Sequence, residues 1–302
     1  MLTRKRVAKV ALENTMGTKV AGTQAVNIYD MDGPVSTAEY LRRAGTGLYT
    51  GNTVTGVHGA ETGRASGRIP LIGTGSSGMG LAALIFLQAG WLVKSSETYQ
   101  VSSNAANWKA LSFDAWLDGK KKSLFGAMCN LVLNWERGRP EGAMLDFELQ
   151  GIFSSVTDEA LPAFSPEDRP PMRMTAFTIN SVAKKIHSLS LDMQSEVVPR
   201  SDPNATQDET LQYIITDNSP QITIDPEDEL VASYDFDGIR QGRTEHAIVA
   251  TFSDGTDTVT VTLPKVQLTE CPEGEREGLS TIQYVGQCNH SSGDDAVQIA
   301  VT

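Results

Sequence analysis

The run Met144-Leu-Asp-Phe-Glu-Leu-Gln-Gly151 alternates apolar and polar residues and stops on glycine, and Leu279-Ser-Thr-Ile-Gln-Tyr-Val-Gly286 does much the same. A period of two puts one face of a strand on a core. Gly286 lies 135 positions after Gly151, and the same offset pairs Phe147 with Ile282, Leu149 with Tyr284, Leu131 with Val266 and Leu133 with Leu268. Upstream, one residue of slippage pairs Asp118-Gly119 with Asp254-Gly255. Asp-Gly between apolar runs reads as a hairpin turn. The repeat predicts a mainly β chain built from two similar halves.

The segments ahead of each block also correspond. The first half has an extended region at 26–29, a long polar, Gly-rich stretch at 33–68, a strand at 69–72 and a helix near 81–92. The second has a strand at 186–192, a polar stretch at 194–207, and strands at 211–216 and 221–224. A helix start is then expected at Asp225, with Pro226 in the first helical position and Glu227, Asp228 and Glu229 complementing the N-terminal dipole. Between the halves, 161–171 carries Pro162, Pro166, Pro170 and Pro171, the mark of a stiff linker. The expected domains are 1–162 and 172–302, with the Pro-rich linker at 163–171. A chain of 302 residues suits two domains.

The net charge of −12 argues against nucleic-acid or anionic-membrane binding. It suits a surface that DNA must pass without sticking. The basic opening Met1-Leu-Thr-Arg-Lys-Arg has no apolar run after it, so it does not read as a signal peptide. The most apolar segment, 79–93, is interrupted by Gln88 and Gly90 and is too short to span a bilayer. A soluble protein made in the cytoplasm is expected. Cys129, Cys271 and Cys288 are odd in number and sparse, which favours reduced thiols over a disulfide framework.

A search for chemistry finds no catalytic, cofactor or metal site. His58, His187, His246 and His290 have no partners at metal-ligand spacing. Gly73-Thr-Gly-Ser-Ser-Gly-Met-Gly80 resembles a phosphate-binding loop. However, Leu81-Ala82 stand where Lys and Ser/Thr would reach the phosphates, and no βαβ pattern follows. The acidic runs 196–209, 225–229 and 273–277 lack calcium-loop spacing and read as solvated loops. No nucleophile–base pair emerges, so an enzyme is not expected.

The order of elements resembles the two-domain tail tube proteins of siphophages. The resemblance covers essentially the whole chain. It is carried by Leu2-Thr-Arg-Lys-Arg-Val, by Phe113-Asp-Ala-Trp-Leu-Asp-Gly-Lys, by the run from Leu145 through Gly151 to Pro162, and by Ser188-Leu-Ser-Leu-Asp-Met-Gln-Ser-Glu-Val-Val-Pro-Arg200. The segment 44–67 departs from the family pattern.

The resemblance implies two tandem β-sandwich or barrel domains, each with one flanking helix and a long extended hairpin. The candidate luminal and subunit-pairing segments are 26–72 and 189–224. It further implies a virion protein assembled in the host cytoplasm, with three chains per pseudo-hexameric ring and rings stacked into the channel for DNA ejection. The implied partners are other copies of the chain, the tape measure protein, and the tail terminator and tail tip proteins. Genomic DNA is met only in passing, and no membrane is involved. The competing reading is a β-sandwich binding module such as a decoration or receptor-binding protein, but its scattered Tyr and Trp residues give that little support.

Overall fold

The computed structural model describes residues 5–44, 53–74, 79–154, 156–167, 169–205 and 210–302. The chain is mainly β, with large antiparallel sheets. Its first half contains β1 (Arg6–Leu12), β2 (Gln24–Val26), β3 (Tyr29–Ala44), β4 (Thr53–Pro70), α1 (Leu81–Ala89), β5 (Leu92–Ser95), β6 (Thr98–Val101), β7 (Leu111–Leu117), β8 (Lys120–Glu136), β9 (Met144–Phe153) and β10 (Thr157–Asp158). The second half contains β11 (Arg173–Ile179), β12 (Val182–Ala183), β13 (Ile186–Asp192), β14 (Glu196–Ser201), β15 (Thr210–Asp217), β16 (Gln221–Pro226), α2 (Phe236–Gly242), β17 (Glu245–Ser253), β18 (Thr258–Glu270), β19 (Glu273–Arg276), β20 (Leu279–Ile282), β21 (Tyr284–Asn289) and β22 (Gln298–Val301).

The ladders run β1-β7-β8-β9-β4-β3 in the first half. They run β11-β17-β18-β21-β16-β13 in the second. Each row has the same connectivity, and each helix falls between the fifth strand of its row and the second. One buried cluster spans both rows, from Val10, Phe86, Phe113 and Phe147 to Leu189, Phe252, Val266 and Tyr284.

The 135-residue offset does not survive the ladders. Phe147 stands opposite Leu131, but the residue opposite Val266 is Cys288; Ile282 ends β20 and faces Glu273. An added hairpin, β19–β20, displaces the register between β18 and β21. The run 279–286 is therefore two strands interrupted at Gln283. An even slip leaves a period-two pattern looking unchanged, so apolar alternation alone cannot fix the register.

The turns differ as well. Asp118 and Gly119 both take positive φ, as a two-residue hairpin turn requires. Asp254 instead accepts hydrogen bonds from the backbone N–H groups of Thr256 and Asp257 at 2.9 and 2.8 Å.

Asp225 does not start a helix. It lies in β16, where its Oδ1 accepts from the backbone N–H groups of His187 and Ser188 at 2.9 and 2.6 Å, and Oδ2 pairs with Arg276 at 2.6 Å. The carboxylate that suggested a cap fastens the bulge between Ile186 and Leu189. The helix begins ten residues later, with Asp235 accepting from the N–H of Gly238 at 2.8 Å.

The polar stretches read as loops are also largely strands. Most of 33–68 is β3 and β4, and 194–207 contains β14. Of the described residues in the far part of the first hairpin, Tyr40, Leu41 and Val57 are exposed, so the run shows no core-facing alternation. α1 stops at Ala89, and Trp91 takes φ 74° before β5 begins. The Pro-rich segment ends pinned to the fold: the N–H of Met172 donates to Leu71 O at 2.7 Å, and Ala143 N–H donates to Met172 O at 2.9 Å.

Candidate functional site

The residues with chemical potential are dispersed. His58 packs its ring 5.1 Å from that of Tyr40, and His187 Nε2 lies 3.7 Å from Glu136 Oε1. His246 is buried near Tyr234, and burial lowers its pKa. His290 sits ahead of β22 on a separate loop. Among the described residues, no three His, Cys, Asp or Glu side chains gather where they could hold a metal ion. All three cysteines are free, and burial raises each thiol pKa, that of Cys288 to about 12. Such thiols are poor nucleophiles at neutral pH.

Residues 75–78 of the glycine-rich loop lie outside the described residues. The start of α1 is nonetheless visible, and Glu167 Oε1 accepts there from Leu81 N–H at 3.4 Å. The protein's own carboxylate thus occupies the favourable end of the helix dipole, where a phosphate would sit. No helix among the described residues is long and apolar enough to cross a membrane.

The features that stand out are edges and surfaces. The two rows of strands are joined through β8 and β13, in register from Ser188↔Glu136 to Asp192↔Val132. Asn130 reinforces the joint, with Nδ2 donating to Asp192 Oδ1 at 3.2 Å and Oδ1 accepting from Ser195 N–H at 2.8 Å. A second ladder joins β6 to β22. The β14–β15 hairpin folds back over the first half, where Tyr213 and Ile215 pack with Met128 and Ile152 in a cluster of their own. Gly17 makes room for this: a Cβ there would collide with Leu211 O.

The sense of the joint follows from counting strands. Through β8, β13, β16, β21 and β18 every neighbour is antiparallel, so β8 and β18 run the same way. The halves are therefore related head-to-tail, not by a two-fold axis. β13, which closes the second row, has a partner on each side. β3, which closes the first, pairs among the described residues with β4 alone. Beside that open edge, Tyr29, Val35, Tyr40, Leu41 and Val57 are all exposed, Leu41 to 64%.

Of the two candidate pairing segments, 26–72 thus carries an open edge at β3, whereas in 189–224 β13 is paired on both sides and the β14–β15 hairpin pairs, among the described residues, only with itself. These features leave no mark in residue type, because an unpaired edge is a property of topology. No protein-family model matches the sequence, and no curated protein matches it either.

Proposed function

We propose that the chain is the structural tail tube subunit of a long-tailed bacteriophage and not an enzyme. In this reading 1–162 and 172–302 are two concatenated copies of one tube domain, tied by the linker 163–171. Three chains close a pseudo-hexameric ring, and rings stack into the channel through which DNA leaves. The observation that carries the reading is the head-to-tail joint, with its open counterpart at β3. An operation that sets one half beside another in the same sense can be repeated with a further copy, and heterologous joints of this kind generate rings or filaments. A long exposed strand edge is a hazard in a monomer and an asset in a polymer.

A surface with a net charge of −12 would let DNA slide past with little adhesion. The tape measure, tail terminator and tail tip proteins are the further partners proposed. Electron microscopy of the purified protein, concentrated at low ionic strength, should show rings or tubes with a lumen that admits duplex DNA. A strictly monomeric protein under those conditions would defeat the proposal.

A further inference from the structure

Within the chain, the loop after β4 touches the β17–β18 turn. A Cβ on Gly73 would collide with the carboxylates of Asp254 and Asp257, so the loop backbone lies directly against the side chains of that turn. The same two places exist once more, and in a single chain they are far apart in the strand order. After β16 comes the loop 227–231, and between β7 and β8 comes the turn at Asp118-Gly119.

Both are uncovered. Leu230 and Val231 are exposed to 80% and 73%, high values for adjacent branched aliphatic residues. Leu279, also exposed, stands beside them, because Asp228 N–H donates to Ser280 O at 3.0 Å.

The charges fit in the same sense. Glu229 is taken by Lys184 at 2.8 Å and Glu227 by Lys185 at 3.4 Å. Asp228 accepts from Ser280 Oγ at 3.0 Å and has no cation in ion-pair reach among the described residues. On the turn, Lys121 pairs with Asp114 and Glu159, each at 3.4 Å, and Lys122 donates to Pro34 O at 3.2 Å. Lys120 is exposed and shows no ion pair among the described residues. It lies across from Asp158 in β10, two residues past the exposed Val156.

We infer that the loop 227–231 of one copy seats on the β7–β8 turn of the next, with Asp228 meeting Lys120 and with Leu230 and Val231 covered against Val156. The inference rests on the assembly reading above and names the partner of that surface as a second copy of this chain. It makes the chain-to-chain joint the counterpart of the Gly73 contact inside the chain, with opposite charges where the inner joint has glycine against carboxylates.

Charge reversal tests it. Asp228→Lys alone and Lys120→Asp alone should each raise the concentration needed for assembly more than tenfold in sedimentation velocity, and the two together in one chain should restore it. Both side chains are on the surface, so circular dichroism should report native folds. Independently, Asp228→Cys combined with Lys120→Cys should give covalent oligomers on mild oxidation, and neither single cysteine should. A wild-type protein that never assembles overturns the assembly reading and this inference with it. A wild-type protein that assembles while the reversals assemble equally well, without the crosslink, overturns the inference alone.

Discussion

Glu13 shows how much of the joint between the halves depends on one side chain. Its carboxylate is buried and accepts from Ser112 Oγ at 2.9 Å, Gly126 N–H at 2.6 Å and Gly17 N–H at 2.7 Å. Gly126, at φ 55°, is the extra residue of the β8 bulge, and both it and Gly17 sit under residues 211–212 of the β14–β15 hairpin. Removing the acceptor in Glu13→Ala would strand these donors, at about 3 kcal/mol, read as a lower denaturant midpoint with an unchanged slope.

Burial outweighs the donors and raises the Glu13 pKa above its ordinary value. A carboxyl whose folded pKa is raised keeps its proton in the folded state while the unfolded chain has lost it. Its contribution is thus fully present below the unfolded pKa and is lost as pH rises through the folded one. Wild-type stability relative to Glu13→Gln should therefore increase on acidification from pH 7 toward 4.5. A flat or opposite trend in thermal melts would contradict the assignment. None of this was legible in Ala11-Leu-Glu-Asn14, where Glu13 looks like a polar residue after an ordinary strand.

At the scale of elements, the strands facing the core were readable and those facing away were not. β17 alternates cleanly along Glu245–Ser253, with Ile248, Ala250 and Phe252 buried. The outer part of β3–β4 is a hairpin by backbone pairing, from Val35↔Arg64 to Ala44↔Thr53, but its described side chains do not alternate between core and solvent. Strand propensity without burial gives no periodic signal.

This division also sets what can be removed. The base of β4 belongs to the core, since Ala65 and Ile69 are buried and pair with Leu149 and Leu145 of β9. Deleting all of 44–67 would therefore unfold the first half. Replacing 37–62 by a short Asn-Gly turn keeps those pairs. Such a variant should melt within a few degrees of wild type yet fail to form rings or tubes by electron microscopy. Undiminished assembly would show that the outer hairpin is not a pairing element.

For the whole molecule, the repeat pattern of the sequence and the strand ladders lead to different expectations for stability. Two similar halves suggest two folding units, and a Pro-rich segment between them suggests a seam. Among the described residues the ladders cross that seam twice, at β8–β13 and β6–β22, and the main buried cluster draws on both halves. Parting the halves would expose the β8 edge at 132–136 together with Met128 and Ile152, which Tyr213 and Ile215 now cover. That is a loss of apolar burial and backbone pairing that neither half recovers alone, so unfolding should be one cooperative event.

The distribution of tryptophan makes this measurable. Trp91, Trp108, Trp116 and Trp135 all lie in the first half, and the second has none. Tryptophan fluorescence therefore follows the first half and its joint to the second, since Trp135 lies opposite Leu189 and Trp91 packs on the cluster with Tyr213, while far-ultraviolet circular dichroism follows strands throughout. In urea the two signals should trace one curve with a common midpoint. A fluorescence transition displaced from the dichroism transition would mean that the halves come apart before they unfold, and that the ladders across the seam are weaker than the cores they join.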